Sequence, residues 1–149
     1  MRAGRSTFSR KGLDAFRTLG PKRGAYIDIL GSGVETFAPG RENTRIALMF
    51  CAFQGSPKIL RLHGLGQIVE PHEEGFVPLQ SHFPVHEGTR AIILVEVTRI
   101  SDSCGYGVPL LKFERERAEL PAWCRKRGTE GLKIYRRGKT DRVWMDCRA

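Results

Sequence analysis

No stretch of this 149-residue sequence approaches the roughly 18 or more consecutive apolar residues of a helical membrane span, which argues against a membrane role. The first residues, MRAGRSTFSRKG, are basic but have no apolar core region, so they do not read as a secretory signal. Cysteine is scarce and scattered. Cys51, Cys104, Cys124 and Cys147 form no C-x-x-C pair and no regular metal spacing, the pattern of reduced thiols in a cytoplasmic protein. His82 and His86 are four residues apart, but Pro84 lies between them and no metal site is expected there. No internal repeat is evident. No residue stands out as a general base or covalent nucleophile, so the catalytic residues stay unassigned.

The charge that is present sits at the ends. Of the formal +9, residues 1–23 carry seven Lys/Arg against one Asp, residues 124–149 carry nine against three acids, and the middle is left at −3. A nucleic-acid binder more usually places basic residues on a folded face among exposed aromatics. Nucleic acid is therefore disfavoured as a partner, and the ends read as solvated tails.

The stretch from Ala25 to Phe53 organises the rest. Ala25, Ile27 and Ile29 alternate with Tyr26, Asp28 and Leu30, which predicts a strand with one well-buried face. Ile46 to Phe53 is nearly continuous apolar and predicts a strand buried on both sides. Between them, Gly31 and Gly33 permit positive φ and close backbone approach, and Ser32 can donate through its hydroxyl. The amides of Gly33 to Thr36 would then point outward as an anion cradle. The same residues also fit a plain tight turn, and Ser32 to Glu35 fits a capping box that needs no ligand. A dinucleotide fingerprint is disfavoured, because GSGVET lacks the third glycine and no strand-helix-strand alternation follows.

Along the chain, Phe8 to Leu19 reads as a short strand or extended arm and Gly20 to Gly24 as a turn. Gly55-Ser56-Pro57 is a hairpin loop, and Lys58 to Glu70 a long, bulge-tolerant strand. Pro71 to Phe83 predicts a helix limited by Pro78. Thr89 to Ile100 is the clearest strand, and Ser101 to Pro109 a glycine-rich loop. Glu114 to Arg127 and Glu130 to Arg137 read as one broken helical region with Leu120, Trp123, Leu132 and Tyr135 as its apolar positions. Residues 138–149 show no usable pattern. The whole reads as one domain, with a core over about residues 9–113 and a helical region over 114–137. Dominant strands with short connections predict a mainly β protein, an antiparallel barrel with flanking helices.

The runs SRKGLDAFRTL, AYIDILGSGVET, ENTRIALMFCAFQGSPKILRLHGLGQIVE and above all RISDSCGYGVPLLKF resemble the pyridoxamine 5'-phosphate oxidase-related proteins of the flavin-binding split-barrel superfamily. The resemblance covers roughly residues 9–136. It implies a six-stranded antiparallel split β-barrel, a homodimer, and FMN or, in some branches, a deazaflavin in the crevice between subunits. It also implies an oxidoreductase acting on an unidentified small substrate, in which the flavin carries the chemistry.

By that resemblance Lys11 is the first phosphate-gripping residue and Gly31-Ser32 begins the second phosphate turn. Gly33-Val34 stands where the better-known oxidases have Arg-Lys. Arg61, on the following long strand, is a candidate to compensate. Asp28 and Glu35 are candidates for the ribityl chain or a ring nitrogen, and fit equally a strand-face charge and a carboxylate at a helix start. Relatives in this group usually begin earlier, with a helix and a first strand, so an open barrel edge is expected here. The alternative reading is a non-catalytic, degenerate ligand-binding barrel that does not retain flavin.

Overall fold

The computed structural model describes residues 12–30 and 45–146, those from 138 onward by backbone alone. Its elements in chain order are β1 (Phe16–Gly20), β2 (Arg23–Ile29), β3 (Arg45–Cys51), β4 (Lys58–Val69), α1 (Phe76–Gln80), β5 (Thr89–Cys104) and α2 (Glu119–Asp146). The strands form one sheet in the order β1-β2-β5-β4-β3, and every neighbouring pair is antiparallel.

β5 is the spine. Its first half pairs with β2, Ile92 opposite Ile27, and β4 runs along nearly its whole length. The β4–β5 register shifts between His63 and Gly64, because Thr98 is an extra residue on β5. Such a bulge sharpens the local twist and bends the sheet. Glycine is required at position 64, where a Cβ would collide with the Glu96 carbonyl. The bend carries far enough that the two edge strands meet. The rings of Phe16 on β1 and Phe50 on β3 pack edge to face with centroids 5.0 Å apart.

The concave side of this curl holds Tyr26, Ile93, Val95 and Val97, with Phe16, Ile46, Leu48 and Leu62 packed against them. On the outer side Ala25, Ile27 and Ile92 are sealed by Ala15, Phe83 and the α1 residues Phe76 and Leu79. A third cluster ties the end of β2 to α2 through Leu30, Cys124 and Leu132. Leu120, Trp123 and Tyr135 pack against it, so the four apolar positions expected of the helical region are the ones that pack.

Several expectations change. Among the described residues the sheet has five strands and does not close into a barrel, since β1 and β3 share side-chain contact but no backbone pairing. β3 alternates between exposed and half-buried positions instead of being buried on both sides. It is an edge strand, and nothing in the described chain covers its outer face. The helix expected over Pro71 to Phe83 shrinks to Phe76–Gln80. Turns occupy the preceding residues, and Pro78 supplies no amide to extend the hydrogen bonding. β5 runs on to Cys104, absorbing half of the expected glycine-rich loop, because Lys58 to Arg61 of β4 offer partners for that backbone. The helical region begins at Glu119, breaks at Gly128 with φ +62°, and continues to Asp146 through residues expected to lack pattern. Among the described residues no helix is long and apolar enough to cross a membrane.

Candidate functional site

Five of the residues singled out from the sequence, Lys11, Gly31, Ser32, Gly33 and Glu35, lie outside the described residues. The positions next to them are informative. Leu13 and Ile29 line the same cavity, of about 110 Å³, together with His86 and Gly88 ahead of β5 and Leu120 and Cys124 of α2. Two backbone bonds fix this corner, from Ile27 N–H to the Ala15 carbonyl (2.9 Å) and from Leu30 N–H to the Gly88 carbonyl (2.8 Å). Cys124 is buried here, and burial, with the Glu87 charge behind it, pushes its thiol pKa up. It is a packing residue, not an activated nucleophile. The cavity is well below the roughly 300–1,000 Å³ of small-molecule and cofactor sites. This cavity alone does not enclose a flavin ring.

Asp28 is 1% exposed. Its Oδ2 accepts from Arg90 Nε at 2.6 Å and also lies against Arg90 Nη2. Arg90 is itself buried, so the two charges compensate each other in the interior, where either alone would be costly. Beside them Tyr26 resists ionisation. Burial raises its pKa most, and the Asp28 carboxylate adds to the shift. Arg136 of α2 reaches back to the same strand end, its Nη2 donating to the Thr89 carbonyl at 3.1 Å. Burial lowers its pKa, and the charge of Arg90 lowers it further.

Arg90 is the member of this cluster that sequence reasoning missed. The available signal was a cation inside the otherwise apolar start of TRAIILVEV, facing a strand, AYIDIL, that holds a single acid.

Arg61 is elsewhere. It lies on β4, on the outer face of the sheet, while Asp28 shares the concave-side alternation of Tyr26 on β2, so the structure does not bring the two together. Arg61 Nη1 donates to Ser103 Oγ at 3.0 Å. Next to it, His63 Nε2 lies 3.3 Å from Ser101 Oγ and 3.2 Å from Arg99 Nη2. On an exposed turn, Glu70, His72 and Glu73 bring possible metal-ligand atoms within 4.8 Å of one another. Exposed acidic groups of this kind commonly hold no ion, and they are remote in character from the enclosed structural sites of metals.

The chain is similar to a protein of Aspergillus flavus described as pyridoxamine 5'-phosphate oxidase family protein ustO, with 39% identity over 107 residues, 69% of this chain and 43% of that protein. The chain thus spans less than half the length of this curated relative. No family model and no solved structure matches the chain.

Proposed function

We propose that this chain, as a member of the pyridoxamine 5'-phosphate oxidase-related proteins, is a flavin-binding split-barrel protein of the cytoplasm that works as a homodimer and oxidises or reduces a small molecule. The observation that carries the reading is the uncovered apolar lip of the curled sheet. Phe50, Leu60 and Ile100 on the concave side are all exposed, and Phe53, Leu111 and Phe113 add to them around the hairpin end and the segment after β5. Contiguous apolar surface of this kind marks an interaction site. A second copy of the chain is the occupant that also solves the cofactor problem, because a crevice between two sheets supplies the room that the 110 Å³ cavity lacks.

In this arrangement Lys11, Gly31, Ser32 and Gly33 hold the cofactor phosphate, with Glu35 toward the ribityl chain or ring. Arg61 is a further cation available to phosphate. Asp28 serves through Arg90, holding the strand end from which the glycine turn departs. When bound, the flavin supplies hydride and electron transfer, and the protein binds and orients. FMN is the proposed cofactor and a deazaflavin its alternative.

The test is a titration of the purified chain with FMN and, separately, with a deazaflavin, following quenching of cofactor fluorescence while light scattering reports mass. A dimer that binds with micromolar affinity or tighter is expected. Lys11→Ala should weaken that binding, and Val34→Lys should tighten it by restoring a charge-assisted phosphate contact. A folded protein that binds neither cofactor overturns the reading. It would favour a ligand-binding barrel without flavin, which Gly33-Val34 in place of Arg-Lys already supports.

A further inference from the structure

The outer face of the sheet is divided. Over β1, β2 and the first half of β5 it is apolar and covered by α1 and Phe83. Past the bulge, over β4 and the second half of β5, the same face changes character. The cross-strand register places Arg61 opposite Ser101 and His63 opposite Arg99, with Ser103 one step further along, and alternation puts all five on one side. On β3 the residues sharing that side are Arg45, Ala47, Met49 and Cys51. None of these is a carboxylate. Two acids flank the patch on β5: Asp102 points to the other face, where it meets Lys58, and Glu96, opposite Leu65 on this side, lies 3.5 Å from Arg23.

Two guanidiniums and an imidazole on adjacent strands without an acid among them form an unusual arrangement. Like charges facing each other across strands are destabilising, and arginine on a sheet surface normally finds a carboxylate. Among the described residues neither Arg61 nor Arg99 has one. Arg61 instead donates to the Ser103 hydroxyl (3.0 Å), and Arg99 donates to His63 Nε2 (3.2 Å). An imidazole nitrogen that accepts from a guanidinium carries no proton, so the ring proton is on Nδ1. Each arginine presents five N–H donors in a planar fork, and these contacts use only one apiece. The remaining donors, the two serine hydroxyls and the imidazole suit a tetrahedral oxyanion, which could accept from both forks at once.

We propose that this face is an oxyanion site that takes a phosphate monoester group, with Arg61 and Arg99 as its cationic donors and His63, Ser101 and Ser103 completing it. On β3 the patch is bordered by Met49 and Cys51, with Arg45 two steps along beyond Ala47. It fits a single phosphate group better than the extended basic track along which a nucleic acid backbone would run. The phosphate can come from the cofactor of the proposed dimer or from a separate phosphorylated small molecule. The inference does not rest on the flavin reading, because inorganic phosphate alone tests it.

The experiment follows the His63 ring resonances, assigned by their loss in His63→Gln, during titration of the full chain with inorganic phosphate and, at matched ionic strength, with chloride. A saturable shift with phosphate and none with chloride is expected. The double variant Arg61→Gln/Arg99→Gln should weaken phosphate binding by at least about tenfold, the loss typical of a charge-assisted contact. Its circular dichroism should be unchanged, since both side chains sit on the surface of the sheet. A shift that chloride reproduces, or a double variant that is folded and binds phosphate within about twofold of the parent, would overturn the proposal.

FMN and riboflavin then identify the source. If the double variant loses affinity for FMN but not for riboflavin, the phosphate is the cofactor's. If phosphate binding falls and FMN binding does not, it belongs to another molecule. Phosphate binding by a protein that takes up no flavin would retain this site while removing the flavin reading.

Discussion

β2 and β3 are both seven residues long and largely apolar, yet Gly24 to Asp28 of β2 are all buried whereas no residue of β3 is. The difference lies in their neighbours. β2 sits between β1 and β5, with the α1 segment on one side and the concave cluster on the other. Among the described residues β3 pairs with β4 alone, and its outer face meets nothing there. Apolar content therefore says that a strand must be covered, while its place in the sheet says whether this chain does the covering. Where the described chain does not, the uncovered surface becomes evidence about a partner.

Breaking the closed half should have the largest effect. Arg90→Ala would remove the buried cation that Asp28 pairs with at 1% exposure, and removing one member of a buried pair costs about 3–5 kcal/mol. Urea unfolding should show that loss as a lower midpoint with little change in slope, and a loss below about 1 kcal/mol would mean that water reaches the carboxylate. A matched pair of truncations sharpens the contrast directly. Ile27→Ala, in the fully buried part of β2, should cost about 2–5 kcal/mol. Met49→Ala, on a β3 residue 46% exposed, should cost under about 1 kcal/mol at dilutions where the chain is monomeric. Equal losses would place β3 in a closed core after all.

Much of the closed half was legible in the sequence. The alternation in AYIDIL and TRAIILVEV marks the two strands that form the central pair, and Leu120, Trp123, Leu132 and Tyr135 mark the face by which α2 packs. Long-range pairing was not legible. Arg90 meets Asp28, and His63 meets Arg99, only because of registers and a bulge set by residues 36 to 62 positions apart. Ser101 to Cys104 has the composition of a loop and becomes strand because β4 offers it a partner. The exposure of β3 could not be read from composition, since a buried edge and an interface strand carry the same residues. The phosphate turn was read from family resemblance, and its residues lie outside the described ones, although their neighbours Leu13 and Ile29 line one cavity.

The smallest effect on folding should be the most informative about the open half. Ile100 lies on β5 beyond the bulge, 57% exposed, on the concave side and opposite Leu62. A glutamate there meets water in a lone chain, so monomer stability should change by less than about 0.5 kcal/mol. In the proposed dimer the same carboxylate would be buried against apolar side chains of the second copy without a partner, which is strongly unfavourable. Ile100→Glu should therefore halve the scattering mass while leaving the urea midpoint of the dilute protein where it was. A variant that stays at the parent's dimeric mass would place the pairing surface elsewhere. The uncovered lip and the cofactor crevice would then be separate features, because only a second copy lying across Phe50, Leu60 and Ile100 joins them.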